Sequence, residues 1–269
     1  MGKAFLSPPE IAEEFIETGA KKTSCSARSL VILGMLAGAF IALASQGSNY
    51  AIHDMESVGL AKAVAGTLFT TGLMLVIVAG GELFTGNCLI VISCLSGRSR
   101  WSGLLRNWLL VYLGNFIGSL LIAFFINRSG QLNASGGALG GFTIKLAVYK
   151  TGLSFENAFV LGILCNLLVC LAVWMAAGAK DIAGKLLAVF FPVWLFVTSG
   201  FEHSIANMYY IPAGILAKRN PLWAAEALKL GVTQEGLDAL CVGSFLTKNL
   251  IPVTLGNIVG GALLVGAAY

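Results

Sequence analysis

The sequence predicts an all-α membrane protein whose six transmembrane helices form two inverted three-helix repeats, with the second and fifth helices interrupted. Three observations carry that prediction. Of 269 residues, 57% are hydrophobic and 11% charged, more apolar surface than so few charges can screen from water, so the solvent is lipid. Apolar stretches run at 29–45, 61–95, 104–126, 156–177, 186–216 and 244–268, against about 20 residues for one crossing of a hydrocarbon core. Asn, Gly and Glu residues recur at matching spacings in the two halves, the mark of an internal duplication.

Ahead of the first crossing, residues 8–22, PPEIAEEFIETGAKK, open on Pro and carry acids early and lysines late. That order favours a short amphipathic helix aligned with its own dipole, and no cleavable signal is read before it. Residues 1–28 are thus expected to form a cytoplasmic amphipathic helix, lying on the membrane surface or capping the bundle, and residues 29–269 the six-helix domain. The first, third, fourth and sixth stretches have ordinary lengths. The second and fifth are far too long for one straight crossing, and each holds polar residues near its middle: ELFTGN at 82–87 and EHSIAN at 202–207. Both are expected to be broken helices. Residues 213–243 make the most polar loop, of mixed charge and without a counterpart in the first half, and are expected to be an external cap.

Asn107, Gly114, Asn115 and Gly118 recur as Asn249, Gly256, Asn257 and Gly260, and Glu82 and Asn87 recur as Glu202 and Asn207. The repeats are read as 29–126 and 156–268. Three crossings is an odd number, so the second copy enters the membrane from the opposite side and the two breaks meet near the midplane. Lys3, Lys21, Lys22 and Arg28, with Arg98, Arg100 and Arg106, place the N-terminus in the cytoplasm, although Lys145, Lys150, Lys218 and Arg219 stand on the other face.

No basic run is interleaved with aromatics, which argues against a nucleic-acid partner. The six cysteines form no CxxC pair and read as small hydrophobes, so neither a metal site nor a disulfide framework is expected. The ionisable side chains deep in the spans are Glu82, Glu202 and His203, all at the breaks. For the glutamates the leading expectation is structural, because an unwound helix frees N–H groups that a carboxylate can accept; Asn87 and Asn207 are expected to support the loops in the same way. His203 is expected to act on a solute, since its ring donates, accepts and titrates near neutrality, with a packed histidine as the alternative. Thr85 lies in the other break, where its hydroxyl serves either solute or backbone. Phe69, Leu73, Leu83 and Phe196 flank the breaks, as packing or as pore lining. Enzymatic use of His203 with Glu202 or Ser204 is set aside, because adjacent residues do not converge on one reacting atom.

GGELFTGN at 80–87, GILCNLLVCLA at 162–172 and GFEHSIANMY at 200–209, with the PPEIAE start and KTGLSF at 150–155, resemble the signature stretches of the formate/nitrite transporter family. Within it the overall likeness is greatest to the clostridial hydrosulfide-channel members. The resemblance implies an aquaporin-like protomer assembled as a homopentamer in the plasma membrane, with a pore through each subunit and no cofactor. It further implies that His203, Thr85, Lys150 and Asn166 are the polar residues of the pathway and that Phe69, Leu73, Leu83 and Phe196 are its constrictions. The function so implied is a channel for small weak-acid anions, hydrosulfide first, with formate and nitrite also admitted; a proton-coupled secondary transporter of formate or nitrite is the alternative. Lys150, the donors of Asn166 and the half-helix N-termini are expected to gather anions at the mouth, and His203 to hand over a proton so that the neutral acid crosses.

Overall fold

The computed structural model describes residue 3 and residues 5–269; positions 1, 2 and 4 of the predicted N-terminal segment lie outside the described residues. Six helices are long and apolar enough to cross a membrane: Ala27–Ile52, Val58–Gly80, Trp101–Arg128, Phe155–Gly178, Ile182–Ser199 and Val242–Gly266. The protein is a multi-pass, all-helical membrane protein. Leucines such as Leu36, Leu43, Leu105, Leu109 and Leu113 point outward from these spans, where lipid rather than water meets them.

Two spans stop short, as the polar hexapeptides require. Helix α3 (Val58–Leu75) winds on through a π turn at Val76–Gly80 and gives way to extended backbone, after which α4 (Phe84–Asn87) and α5 (Ile90–Leu95) finish the crossing. Between α2 (Ala27–Ile52) and α8 (Phe155–Gly178) runs α6 (Trp101–Arg128), the third span. Helix α9 (Ile182–Ser199) ends at Gly200, and α10 (Ser204–Ala217) restarts behind an extended Phe201–His203. Gly80 (φ +94°) and Gly200 (φ +75°) occupy the left-handed region at the two stops. A side chain there would strain the backbone, which is why each break begins on glycine.

The duplication extends further than the sequence reading placed it. Sequence analysis assigns no helix between 126 and 156, yet α7 (Ala138–Thr151) lies there and matches the N-terminal α1 (Pro8–Ser24). Both carry Lys-Thr in the last turn, Lys22-Thr23 just before Ser24 and Lys150-Thr151 at the very end, and both are followed by a serine cap on the next span, Ser26 on α2 and Ser154 on α8. Each repeat is therefore a short helix plus three spans. Helix α1 buries Ile11, Phe15 and Gly19 on the bundle, with Phe15 stacked 5.4 Å from Trp174; of the two placements expected, it takes the cap on the bundle. The polar segment 213–243 is mostly helical, with α11 (Pro221–Lys229) and α12 (Gln234–Ala239). Trp223 of α11 sits against Gly140 of α7 and donates to Asn133 Oδ1 at 2.9 Å, so this insertion packs over the end of the second repeat.

Within each half, small residues let backbones touch. Gly34, Gly38, Gly114 and Gly118 join α2 to α6, and Gly162, Gly256 and Gly260 join α8 to the sixth span. A Cβ at any of these positions would meet the facing main chain, so packing rather than turn geometry selects glycine here.

Candidate functional site

An interrupted helix in lipid leaves polar backbone groups that must be bonded within the protein. In the first break Asn115 holds two of them and ties them to α2: its Oδ1 accepts from Phe84 N–H (3.0 Å), and its Nδ2 donates to Glu82 O and to Gly34 O of α2 (2.8 Å each). In the second break Asn257 repeats the arrangement on Ser204 N–H (2.9 Å), Gly162 O (2.8 Å) and Glu202 O (3.1 Å). Glu82 N–H and Glu202 N–H complete the set by donating to Leu33 O and Leu161 O. Sequence analysis met Asn115 and Asn257 only as markers of the repeat.

The glutamates support the breaks by a different bond from the one expected. Their carboxylates take side chains, not loop N–H groups, because the asparagines and the neighbouring helix already bond that backbone. Glu82 accepts from Lys22 Nζ (2.7 Å) and Asn87 Nδ2 (2.6 Å), and Asn87 Nδ2 also reaches Asn107 Oδ1. Glu202 accepts from Lys150 Nζ (2.7 Å) and Asn207 Nδ2 (2.6 Å), with Asn249 Oδ1 in the place of Asn107. Asn107 Nδ2 donates to Lys22 O and Asn249 Nδ2 to Lys150 O. Each lysine is thereby pinned by its own main chain and by its ammonium, and α1 and α7 are tied to the breaks.

Symmetry fails at the centre. Leu83 caps α4 where His203 caps α10, and Thr85 is the second residue of α4 where Ile205 is the second of α10. His203 Nδ1 accepts from Ala206 N–H (3.1 Å) and Nε2 stands 3.0 Å from Thr85 Oγ1. An accepting Nδ1 leaves the proton of a neutral ring on Nε2, so His203 donates to Thr85 across the gap between the breaks. Phe196 stacks on His203 (6.0 Å) and meets Phe69 edge-on (5.6 Å). Phe69, Leu73, Leu83, Phe196, Thr85 and His203 are all buried.

A cavity approaches this centre from each face. On the N-terminal side, about 470 Å³ is bounded by Glu14, Lys22, Leu73, Glu82, Leu83 and Lys185 among others. On the opposite side, about 540 Å³ is bounded by Asn49, Lys62, Phe69, Lys145, Lys150, Phe196, Glu202 and His203 among others. Leu73 and Leu83 thus border one cavity and Phe69 and Phe196 the other, and His203, which also borders the second, reaches Thr85 behind it.

Two placements made from sequence need correction. Asn166 is not at a mouth: it is fully buried, and Nδ2 donates to Thr85 O (3.2 Å) and Asn257 O (2.6 Å), tying the first break to the sixth span. Its donors are spent on backbone and do not face an incoming anion. Lys150 does line the cavity, but its charge is matched by Glu202 and its ammonium lies 5.3 Å from the Tyr210 ring centre, which leaves it a weak collector of anions.

A family profile described as "Formate/nitrite transporter" matches residues 9–269. The chain is 41% identical to the formate channel FocA of Escherichia coli (strain K12), over 98% of this chain and 93% of that one. Among solved structures it is similar to a "Pentameric formate channel with formate bound" (TM-score 0.79, 37% identity, 90% of this chain and 96% of that chain). An "FNT family ion channel" gives the same TM-score at 26% identity, over 97% and 98%.

Proposed function

The chain belongs to the formate/nitrite transporter family, and on that premise we propose that it is a plasma-membrane channel for small monovalent anions of weak acids. The observation that carries this reading is the pair of cavities separated by four apolar side chains and bridged by Thr85 and His203. Formate is the solute named for the similar proteins. Hydrosulfide suits the same slit on chemical grounds, because it is small and its conjugate acid is weak; nitrite is the third member of the class. A homopentamer with one pore per subunit and a cytoplasmic N-terminus completes the reading, supported by the likeness to a pentameric channel and by the basic residues of the N-terminal segment.

A bare anion entering a dry slit loses hydration worth tens of kcal/mol in an idealised low-dielectric medium, far more than a few hydrogen bonds return. The neutral acid escapes that penalty. His203 Nε2–H meets the anion first as a hydrogen-bond donor, in the place it now gives Thr85. Held there by Nε2–H, the anion takes a proton from the water of the His203-side cavity, while Nδ1 keeps accepting from Ala206 N–H and the ring stays neutral. The conjugate acid then leaves Nε2–H and crosses between the apolar side chains. On exit the acid gives the proton back to water.

The test is efflux from liposomes holding the purified protein, with sulfide, formate, nitrite, acetate and chloride compared across a pH series. His203→Gln is expected to lose most of the flux and flatten its pH dependence. Full flux with an unchanged pH profile refutes proton transfer at His203, and equal flux of chloride and formate refutes the weak-acid class. Saturation at the rates of a conformational cycle, with fixed proton stoichiometry, replaces the channel by a coupled transporter.

A further inference from the structure

We propose that Lys62 and Lys145, with Asn49 between the lumen and the protein, form an anion-gathering station in the cavity on the His203 side, making the two mouths of the pore electrostatically unequal. The inference rests on the channel reading and deepens it.

The two cavities are built on matching halves yet differ in charge. The N-terminal one holds Lys22 and Lys185 against Glu14 and Glu82, net zero; the other holds Lys62, Lys145 and Lys150 against Glu202, net +2 with His203 neutral. Lys22 and Lys150 are each bonded to their own glutamate at 2.7 Å. What remains is Glu14 with Lys185 on one side and two lysines on the other. Among the described residues neither Lys62 nor Lys145 enters an ion pair. Lys62 Nζ stands 3.5 Å from where a Cβ would project from Gly200, the residue that ends α9, so its charge lies at the lip of the second break.

Asn49 lines the same cavity, is buried, and has an amide nitrogen without a partner. Its neighbour Ser48 donates to Ala65 O at 3.1 Å, which sets Asn49 roughly level with Lys62, one helical turn before Ala65. A buried donor left unpaired is costly. Because Asn49 borders the cavity, a turn of its side chain brings that donor to the lumen, where an anion supplies the missing acceptor.

Two unit charges on the order of 10 Å from the lumen in a water-like dielectric raise the local concentration of a monovalent anion about threefold at about 10 mM ionic strength, and less than about twofold at about 100 mM. The experiment is one-sided uptake of labelled formate by liposomes holding the full chain, with the two orientations separated by a tag on the N-terminal face. Lys62→Gln with Lys145→Gln is expected to raise the half-saturating formate concentration about threefold at low ionic strength when formate enters from the His203 side, with little change from the N-terminal side. Flux at saturation stays the same, Lys62→Arg with Lys145→Arg restores the wild-type value, and Asn49→Ala adds a further rise on the same side. Equal shifts from both sides, or none, overturn the station while leaving the channel standing. A wild-type protein that passes neither formate, hydrosulfide nor nitrite overturns the channel reading and this inference with it.

Discussion

Replacing Asn257 by Leu removes a fully buried amide whose three bonds go to Ser204 N–H, Gly162 O and Glu202 O. Leu is close to Asn in size, so the loss is one of bonding more than of volume. Each backbone group left unpaired in a buried site costs about 1–3 kcal/mol. Gly162 O lies inside α8 and keeps its helical bond, so two such groups, partly relieved by water from the adjoining cavity, put the loss at about 2–5 kcal/mol. Unfolding of the purified protein in mixed micelles titrated with SDS, followed by tryptophan fluorescence, measures it. Asn257→Asp sharpens the test: it keeps the acceptor for Ser204 N–H but sets a carboxylate oxygen against two carbonyl oxygens, so it is expected to be at least as unstable as Asn257→Leu. A Leu variant within about 1 kcal/mol of wild type, or an Asp variant as stable as wild type, would refute the assignment of Asn257 as the tie of the second break.

Glu202→Gln leaves the Lys150 ammonium buried without its counter-charge and is expected to cost about 3–5 kcal/mol in the same titration, much of it recovered when Lys150→Met is added. Glu82→Gln is expected to be milder, about 1 kcal/mol, because the Lys22 side chain is 26% exposed against 9% for Lys150 and water can take over its solvation. Thr85→Val keeps the shape of the first break but removes the acceptor for His203 Nε2–H; the expected result is a changed His203 imidazole resonance by NMR with stability lowered by about 1 kcal/mol. At the start of α1, Lys3 and Ser7 hold the Glu10 carboxyl down to about 2. A depressed carboxylate stabilises above its unfolded value and loses that contribution as pH falls, so the protection of the Ser7 and Glu10 amides, taken relative to the free-chain exchange rate at each pH, is expected to hold at pH 5 and to fall only as pH drops from about 4.5 toward about 2. Glu10→Gln should remove that pH step.

The breaks were legible because ELFTGN and EHSIAN put carboxylates inside apolar runs, and lipid tolerates a carboxylate only where it is bonded. The inverted duplication was legible in the spacing of Asn107, Gly114, Asn115 and Gly118 against their second copies. The work of those asparagines was not read, although the same sites held the signal: an amide in mid-span has to bond something, and a broken helix nearby supplies the groups. Helix α7 was passed over because 14 residues are too few for a crossing, yet Lys22-Thr23 with Ser26 against Lys150-Thr151 with Ser154 marked it as the counterpart of α1. The partners of Lys150 and Asn166 were out of reach for a different reason. Glu202 and Asn257 lie 52 and 91 residues away, and hydrophobic periodicity says nothing about which distant polar group meets which.

The division between symmetric and asymmetric positions separates holding the pore open from using it. Residues that hold the breaks come in matched pairs: Asn115 with Asn257 on the backbone, and Glu82 with Glu202, Asn87 with Asn207 and Lys22 with Lys150 in the side-chain networks beside it. A duplicated half has the same backbone to satisfy in each copy, and the same side chains satisfy it. His203 has Leu83 at the equivalent position of the other repeat, and Thr85 has Ile205. Two copies of either residue would serve the backbone no better, since Leu83 shows that a break of this shape closes without an imidazole at the cap. A polar group kept at only one of two equivalent sites, buried and turned toward the opposite break, is not required by the breaks themselves, and the proposed passage of a solute between them gives it a use. The same reasoning sets Lys145 and Lys62 apart from Lys150: the paired lysine belongs to the scaffold, and the unpaired ones give the solute a side from which to enter.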